Sequence, residues 1–496
     1  MGRYSITYDF GTGSVKGAVL DAEHEPVAVA SEPYPLFTPA PGFAEQKVED
    51  YLSSFRKVTG RLLREMRLTG RDIEGVVISQ TSSTLIFADA DGNALCDCVT
   101  WLDSRAHEQA GRLNERVGLA GWATGKRVAA KVAWFMEKRP EVVTQAKYLV
   151  DVSGFFYLQL TGKTAFDLTA AFATGFIFPI SREWNQFFLE TVDIDPALLS
   201  DRILNSFDLV GYTDTAFARA VGFAPDTPVF AGCSDNANAH LGTGCIRPGD
   251  AHIYMGSSGW LALTTPIDDN APSFTQLPSA IPGIGYEYFC TNSVGTSIDY
   301  LIREFYRDEA EKEERYTLIA GDVLSVADDP RDLLFLPYLF GEEAPVDDPH
   351  IRGTLLNLDF TVTRAHIARA VMEGIAFNYR WIKEKLQKEG RWNVNFIRAI
   401  GGAAQSDSHL QIIADVMDET IIRLAHARFA GNIGLATCVD IGLGKVKDFQ
   451  VLDGYIKEEK IFNPRKQSSV RYDRLFEAFK RSYESLKDLY TSLNGQ

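Results

Sequence analysis

At 496 residues the chain is about three times the length of a typical domain, which predicts at least two domains. With 45% hydrophobic and 23% charged residues it is ordinary globular material with ample capacity for a core. Fifty Lys and Arg against 66 Asp and Glu leave a net charge of −16, which argues against a general binder of nucleic acid or of anionic membranes. No apolar run approaches the roughly 18 residues of a membrane span. The first residues lack the charged-then-apolar layout of a secretory signal, the last carry no CaaX box, and Ile6 stands where myristoylation after Met1-Gly2 needs Ser or Thr. Six cysteines, with Cys96 and Cys98 as a bare CxC, and eight scattered histidines show neither disulfide density nor zinc spacing. These features predict a cytoplasmic protein without a structural metal cage.

In chain order, Tyr4–Phe10 reads as a strand, Gly11-Thr12-Gly13 as a turn, and Val15–Asp21 as a returning strand. Apolar Leu52, Phe55, Leu62, Leu63 and Met66 space an amphipathic helix over Asp50–Leu68, and Gly75–Ser79 reads as the next strand, followed by polar Gln80-Thr-Ser-Ser-Thr84. Strands alternating with helices predict an α/β fold. Around residue 250 the opening repeats: strand Ala251–Met255, turn Gly256-Ser-Ser-Gly259, strand Trp260–Thr264. Phe396–Ile400 is a further strand ending in Gly401-Gly402-Ala403, with a helix from about Ser406. The duplicated pattern predicts two similar α/β domains facing a cleft, divided near Ile246–Asp250. The acidic stretch Arg307–Arg315 reads as a solvated helical face, and Asp473–Leu493 as an amphipathic tail helix.

Three places hold residues suited to chemistry. In Asp9-Phe-Gly11-Thr12-Gly13-Ser14-Val-Lys16, small residues in a tight turn bring backbone N–H groups to phosphate oxygens, and Thr12, Ser14 and Lys16 add hydroxyls and a positive charge. The run GxGxxxG is one residue too long for a dinucleotide fingerprint and is followed by strand. Thr161-Gly162-Lys163-Thr164 imitates the end of a P-loop, but Tyr157 occupies the first glycine position. Asp9 beside a phosphate cradle calls for a divalent cation between them, although a β-hairpin capped by Asp fits the spacing equally well. In Val229-Phe-Ala-Gly232-Cys-Ser-Asp235-Asn236, a strand runs into an Ala-rich helix, and Asp235 taken alone reads first as a helix cap. A carboxylate at the C-terminal end of a parallel strand is also where α/β sheets place their sites. In Trp101-Leu-Asp103-Ser-Arg105, an aromatic face beside a carboxylate suits a polyhydroxylated ligand, while a buried Trp near an Arg–Asp surface pair explains the same residues. GxSxG is absent, so a nucleophile elbow has no support.

The order of these motifs is more specific than any one of them. Asp9-x-Gly-Thr-x-x-x-Lys16, Trp101-x-Asp-x-Arg105, Gly232-x-x-Asp-Asn236, Gly256-Ser-Ser-Gly259, Phe335-Leu-Pro-Tyr-Leu-x-Gly-Glu342, Ala370-Val-Met-Glu-Gly-Ile375 and Gly401-Gly-Ala403 follow one another. Together they closely resemble the FGGY carbohydrate kinases, nearest the xylulokinase-like branch, from about residue 4 to about residue 445. The resemblance implies two ribonuclease H-like domains of the actin/hexokinase class around a central cleft. Residues 1–248 would be the sugar-binding side with the first phosphate loop, and 249–496 the nucleotide side. It implies transfer of the γ-phosphate of ATP, with Mg²⁺, to a hydroxyl of a small sugar, foremost a pentulose such as xylulose. By position, Asp235 matches the catalytic base, and Asp9 together with Asp235 the residues at the metal. Gly11, Thr12, Gly13, Ser14 and Lys16, and Gly256, Ser257 and Ser258, match the two phosphate loops. Gly295, Gly402 and Ser406 match positions lining the nucleotide, and Gln80, Thr81, Ser82, Trp101, Asp103, Asp235 and Asn236 those lining the sugar. Homodimers are common in the family; nucleic-acid and membrane partners are not expected.

The sequence departs from the pattern where the sugar is read. Xylulokinases carry Gln-Met-His-Gly where this chain has Gln80-Thr81-Ser82-Ser83, and glycerol kinases carry Arg-Glu there. The first family signature is degraded around Lys131-Val-Ala-Trp134, with Val128 in place of Pro, Ser or Thr, and the second fails after Glu384. The chemistry-bearing positions remain and the substrate-reading ones have drifted, which predicts a working kinase with a shifted substrate. Other acceptors in the class are a tetritol, ribulose, a six-carbon ketose or glycerol. A sugar or nucleotide sensor on the same fold would be expected to lose Asp9 or Asp235, and both are present. A nicotinamide dehydrogenase would need a helix after Gly13, where strand continues.

Overall fold

A computed structural model describes residues 4–118, 122–178, 181–267, 276–307, 312–328, 331–427 and 429–495. The chain forms two compact units, and neither is one continuous stretch. The first comprises Met1–Ile246, Thr265–Tyr286 and Phe429–Ile456; the second Arg247–Thr264, Glu287–Arg428 and Lys457–Gln496. Residues 265–286 and 429–456 thus fold with the first unit although they follow residue 248 in the chain. The physical reason is the helix Ala430–Gly442, apolar on nearly every side, which buries itself on the first unit's sheet. There Asn432 donates to the Thr7 hydroxyl at 2.8 Å, and Asp440 pairs with His24 at 2.9 Å. Its close approach to the helix Asp235–Gly242 needs glycine: a Cβ on Gly242 would lie 2.3 Å from the Ala430 carbonyl carbon.

The first unit is built on a six-stranded sheet. Its strands are β1 (Tyr4–Phe10), β2 (Ser14–Leu20), β3 (Pro26–Pro33), β4 (Ile73–Gln80), β5 (Leu209–Tyr212) and β6 (Pro228–Ser234), in the order β5-β6-β4-β1-β2-β3. β1 and β2 form the expected hairpin, with Asp9 opposite Lys16. β1, β4 and β6 are parallel, so Phe10, Gln80 and Ser234 end side by side at one edge. The helix Val48–Glu65 buries Tyr51, Phe55, Val58 and Leu62 under this sheet, as its apolar spacing requires. The rings of Phe10, Phe55 and Phe156 pack there within 6.3 Å of one another.

The second unit repeats the plan. β7 (Asp250–Met255) and β8 (Gly259–Pro266) form a hairpin beside a strand β9 (Ile284–Thr291), and β10 (Phe396–Ile400), β11 (Ile421–Leu424) and β12 (Glu458–Phe462) continue the run β9-β8-β7-β10-β11-β12 within a seven-stranded sheet. β7, β10 and β11 are parallel, like β1, β4 and β6. The core lies around the helix Arg364–Lys388, whose Phe377 and Trp381 pack on Phe476 and Phe479 of the tail helix Ser469–Asn494. The Ala370–Ile375 motif is architectural: Glu373 is buried and holds Arg369 and Arg471 at 2.8 Å each, and a Cβ on Gly374 would lie 2.2 Å from the Phe335 carbonyl oxygen. Of the acidic stretch Arg307–Arg315, residues 308–311 lie outside the described residues; helix runs over Lys312–Ser325. No helix among the described residues is long and apolar enough to cross a membrane.

Candidate functional site

In the first unit, the predicted residues gather where β1, β4 and β6 end. Asp9 is the next-to-last residue of β1; one of its oxygens is buried without a hydrogen-bond partner, and the other lies 3.8 Å from Lys16 Nζ. A buried carboxylate oxygen that nothing satisfies is costly, and a hard cation is a fitting partner for it. After β1, the turn 11–14 is held from outside. Tyr34 donates its hydroxyl to the Gly11 carbonyl, Gln46 donates to the Thr12 carbonyl at 2.7 Å, and the Tyr34 amide donates to the Gly13 carbonyl at 3.2 Å. With these carbonyls engaged, the N–H groups of Thr12 and Gly13 keep no protein acceptor among the described residues, and a Cβ on Gly13 would meet nothing within 4 Å. That is an open edge of amides suited to an anion.

Asp235 does not act as the cap that its motif suggests. Ser234 holds the N-cap position, and Asp235 is the first residue of the helix Asp235–Gly242. Its Oδ1 accepts from the backbone N–H of Ser82 at 3.3 Å and of Asn236 at 2.9 Å. Both bonds fall on Oδ1, which leaves Oδ2 for a ligand. Burial, and then the charge of Asp9, push this carboxyl up to about 7, against the lowering effect of the two amides. The strand leading to it kinks at Gly232, whose φ of 65° and whose approach to the Ile78 carbonyl, 2.0 Å from a would-be Cβ, admit only glycine.

The positions expected to line the sugar divide into two groups. Thr81 donates its amide to the Phe10 carbonyl at 2.9 Å, and Ser82 and Asn236 are half-buried beside Asp235. Trp101 is half-buried, and its indole N–H donates to the Thr12 hydroxyl at 3.0 Å, tying the aromatic face to the turn 11–14. Gln80 and Asp103 differ from expectation, because both are fully buried with their polar atoms already engaged. Gln80 donates to Asp151 at 3.3 Å and accepts from Thr84 at 2.8 Å. Asp103 accepts from the Ala44 amide at 2.7 Å and clamps Arg105 through both oxygens; Arg105 in turn reaches Glu45.

Sequence reading missed what stands behind these residues. Asp167 and Asp151 cap the helices Leu168–Thr174 and Val152–Thr161, and burial pushes their carboxyls up to about 6 and about 7. Asp167 holds the Thr169 hydroxyl, which accepts from the Ser234 amide at 2.8 Å. The only signal in the sequence is Asp at the start of each helical run, a pattern too common to single out.

In the second unit, the Gly256–Ser258 turn closes the β7–β8 hairpin. The amides of Gly295 and Thr296 donate to the carbonyls of Gly256 and Ser257 at 2.8 and 3.0 Å, which seats the turn on the start of the helix Gly295–Phe305. A Cβ on Gly295 would lie 2.4 Å from the Gly256 oxygen. Gly402 opens the turn after β10, where a Cβ would meet nothing within 4 Å. Ser406 caps the helix Asp407–Met417, accepting from the His409 amide at 3.3 Å. Glu342, from the Phe335–Glu342 motif, is buried and accepts from the amides of Asn292 and Glu343 and from Asn378; burial pushes it up to about 8.

The profile of the FGGY family of carbohydrate kinases, N-terminal domain, matches residues 4–242, and that of the C-terminal domain residues 252–438. The xylulose kinase of Bacillus subtilis (strain 168) is 28% identical over 501 residues, covering 99% of each chain. The gluconokinase of the same organism is 26% identical over 516 residues, covering 99% of this chain and 98% of its own. The crystal structure of a xylulose kinase from Lactobacillus acidophilus superposes with a TM-score of 0.87 over 99% of each chain, at 24% identity, which shows the shared α/β two-domain fold.

Proposed function

Because the chain belongs to the FGGY family of carbohydrate kinases, we propose that it transfers the γ-phosphate of Mg²⁺·ATP to a hydroxyl of a small sugar, a pentulose such as xylulose, with Asp235 as general base. The observation that carries this reading is the pairing of Asp235 and Asp9 at the ends of β6 and β1, beside an open edge of turn amides. Asp235, fixed by two N–H donors on Oδ1, would take the hydroxyl proton on Oδ2. A carboxyl near 7 is a base matched to neutral pH. Mg²⁺, when bound, would supply charge neutralisation for the phosphate; Asp9, with its unsatisfied oxygen, would hold it, alongside Asp235. The amides of Thr12 and Gly13, with Ser14 and Lys16, would receive phosphate oxygens, as would the Gly256–Ser258 turn, with Gly295, Gly402 and Ser406 lining the nucleotide. Trp101, Thr81, Ser82 and Asn236 would line the sugar, with Gln80 and Asp103 supporting them from behind.

A second reading moves only the acceptor. Lys126 Nζ stands 5.7 Å from the Trp101 ring centroid, where a carboxylated sugar would find a partner, and a gluconokinase is among the relatives. The deciding experiment is ADP release with Mg²⁺·ATP across ketopentoses, tetritols, ketohexoses, glycerol and gluconate. Turnover on a pentulose supports the first reading, and turnover on gluconate alone the second. Silence across the panel, from folded protein that binds ATP, would overturn both.

A further inference from the structure

Behind the pocket of the first unit lies a buried amine for which the proposed mechanism has no use. Lys131, on the helix Val128–Lys138, is fully buried, and its Nζ donates to two main-chain carbonyls, that of Ser83 at 2.8 Å and that of Thr100 at 2.7 Å. Each carbonyl belongs to a different segment of the sugar side. Ser83 follows Ser82, whose N–H holds Asp235, and Thr100 precedes Trp101, whose indole holds Thr12.

We propose that Lys131 is a positioning residue for the acceptor sugar, a two-pronged tie that fixes the 81–83 turn and the Trp101 segment in one arrangement. This inference rests on the kinase reading for its functional half, while the tie itself does not.

Two further observations support it. Ser83 has φ of 58°, the left-handed region that a residue with a Cβ occupies only under strain. A strained turn needs an anchor, and the anchor is on the strained residue's own carbonyl. Moreover, a buried ammonium is costly, and burial draws this amine down to about 7 although Asp103 opposes the shift. In either protonation state the amine retains at least two N–H donors, enough for both carbonyls, so the tie does not depend on the charge.

The test compares Lys131→Met, Lys131→Gln and Lys131→Arg with the parent full-length chain. The first readout is amide hydrogen exchange, which needs no turnover. In Lys131→Met, exchange over residues 81–85 is expected to rise by at least ~10-fold while the helix Val48–Glu65 keeps its protection. Lys131→Gln, polar but too short to span both carbonyls, should show the same change and replaces the Met variant if that one does not fold. The second readout is kinetic: kcat/KM for the sugar is expected to fall at least ~10-fold, with KM for Mg²⁺·ATP within ~2-fold of the parent. Lys131→Arg, which keeps the donors, should recover most of both. Unchanged exchange at 81–85 would overturn the tie, whether or not any sugar is turned over. Equal losses in the sugar and ATP parameters, or an Arg variant as impaired as Met, would overturn the positioning role. A parent protein silent on every sugar would count against the kinase reading instead, and exchange would still decide the tie.

Discussion

The backbone N–H of Ser82 donates to Oδ1 of Asp235, 153 residues further along the chain. That bond joins the end of β4 to the start of the helix after β6, and it exists because the two strands are parallel neighbours ending level with each other, Gln80 beside Ser234. It places a carboxylate at a strand end with one oxygen held and the other free.

Replacing that carboxylate is the most direct prediction. Asp235→Asn keeps the size and an acceptor for the two amides but cannot take a proton. Turnover should fall by at least ~10²-fold with the fold unchanged. Steady-state ADP release, with circular dichroism for folding, checks this; near-parent turnover would remove Asp235 from the role of base.

Asp9→Asn should act on the nucleotide side. Replacing one carboxylate oxygen by an amide weakens any hold on a divalent cation. The Mg²⁺ concentration for half-maximal activity should rise at least ~10-fold, while sugar affinity by calorimetry stays within ~3-fold. Collapse of sugar affinity with unaltered Mg²⁺·ATP use would show that the two sites have been assigned the wrong way round.

Trp101 should separate stacking from tethering. Trp101→Phe retains an aromatic face and loses the bond to Thr12; Trp101→Ala loses both. About 1.5–3 kcal/mol of lost apolar contact corresponds to a rise in sugar KM of roughly tenfold to a hundredfold for Ala, with a smaller rise for Phe. Sugar titrations of the two variants measure it, and indistinguishable KM values would mean that the ring face is not used.

Gly295→Ala should displace the Gly256–Ser258 turn, since its Cβ would sit 2.4 Å from the Gly256 carbonyl oxygen. The clash is with backbone, which yields only by moving, so a stability loss of roughly 1–3 kcal/mol is expected. Binding of ATP should weaken with it. Thermal unfolding and nucleotide titration test the two effects separately, and an Ala variant unaltered in both would contradict the close approach.

Asp167 predicts a pH dependence of stability. Burial holds its carboxyl up at about 6, above the ordinary value near 4, so the folded state keeps a proton that the unfolded chain releases. The contribution is therefore full below about pH 4 and is lost as pH rises to about 6. Asp167→Asn keeps the Oδ1 that caps its helix and replaces the oxygen that has no partner. Its stability relative to the parent should rise across that window by roughly 1–3 kcal/mol and then level off. Urea unfolding at pH 4, 5, 6 and 7 follows it; parallel curves would mean that Asp167 does not carry the shifted proton. Asp151, which burial and then Asp167 push up, should ease downward in the same variant.

Much of the fold was legible because its periodicities are local. The β1–β2 and β7–β8 hairpins, the helix Val48–Glu65 and the strand Phe396–Ile400 follow from alternation, apolar spacing and turn glycines within a few residues. The destination of the helix Ala430–Gly442 was not legible. Its surface is apolar almost all round, and nothing in such a pattern says which sheet it covers. The same limit applied to Gln80 and Asp103: a polar residue in a motif reads as a ligand contact until its neighbours in space show that its atoms are already engaged.

The sequence by itself determined the α/β class, the duplication of the strand-turn-strand unit, and, through motif order, the FGGY family. These depend on residue type and spacing along the chain. Only the tertiary structure decided that the units are discontinuous, that Asp235 heads its helix without capping it, and that Lys131 reaches two segments at once. Each of these is a contact between residues distant in sequence, set by strand register, helix packing and burial, and spacing along a chain does not encode who becomes the neighbour of whom.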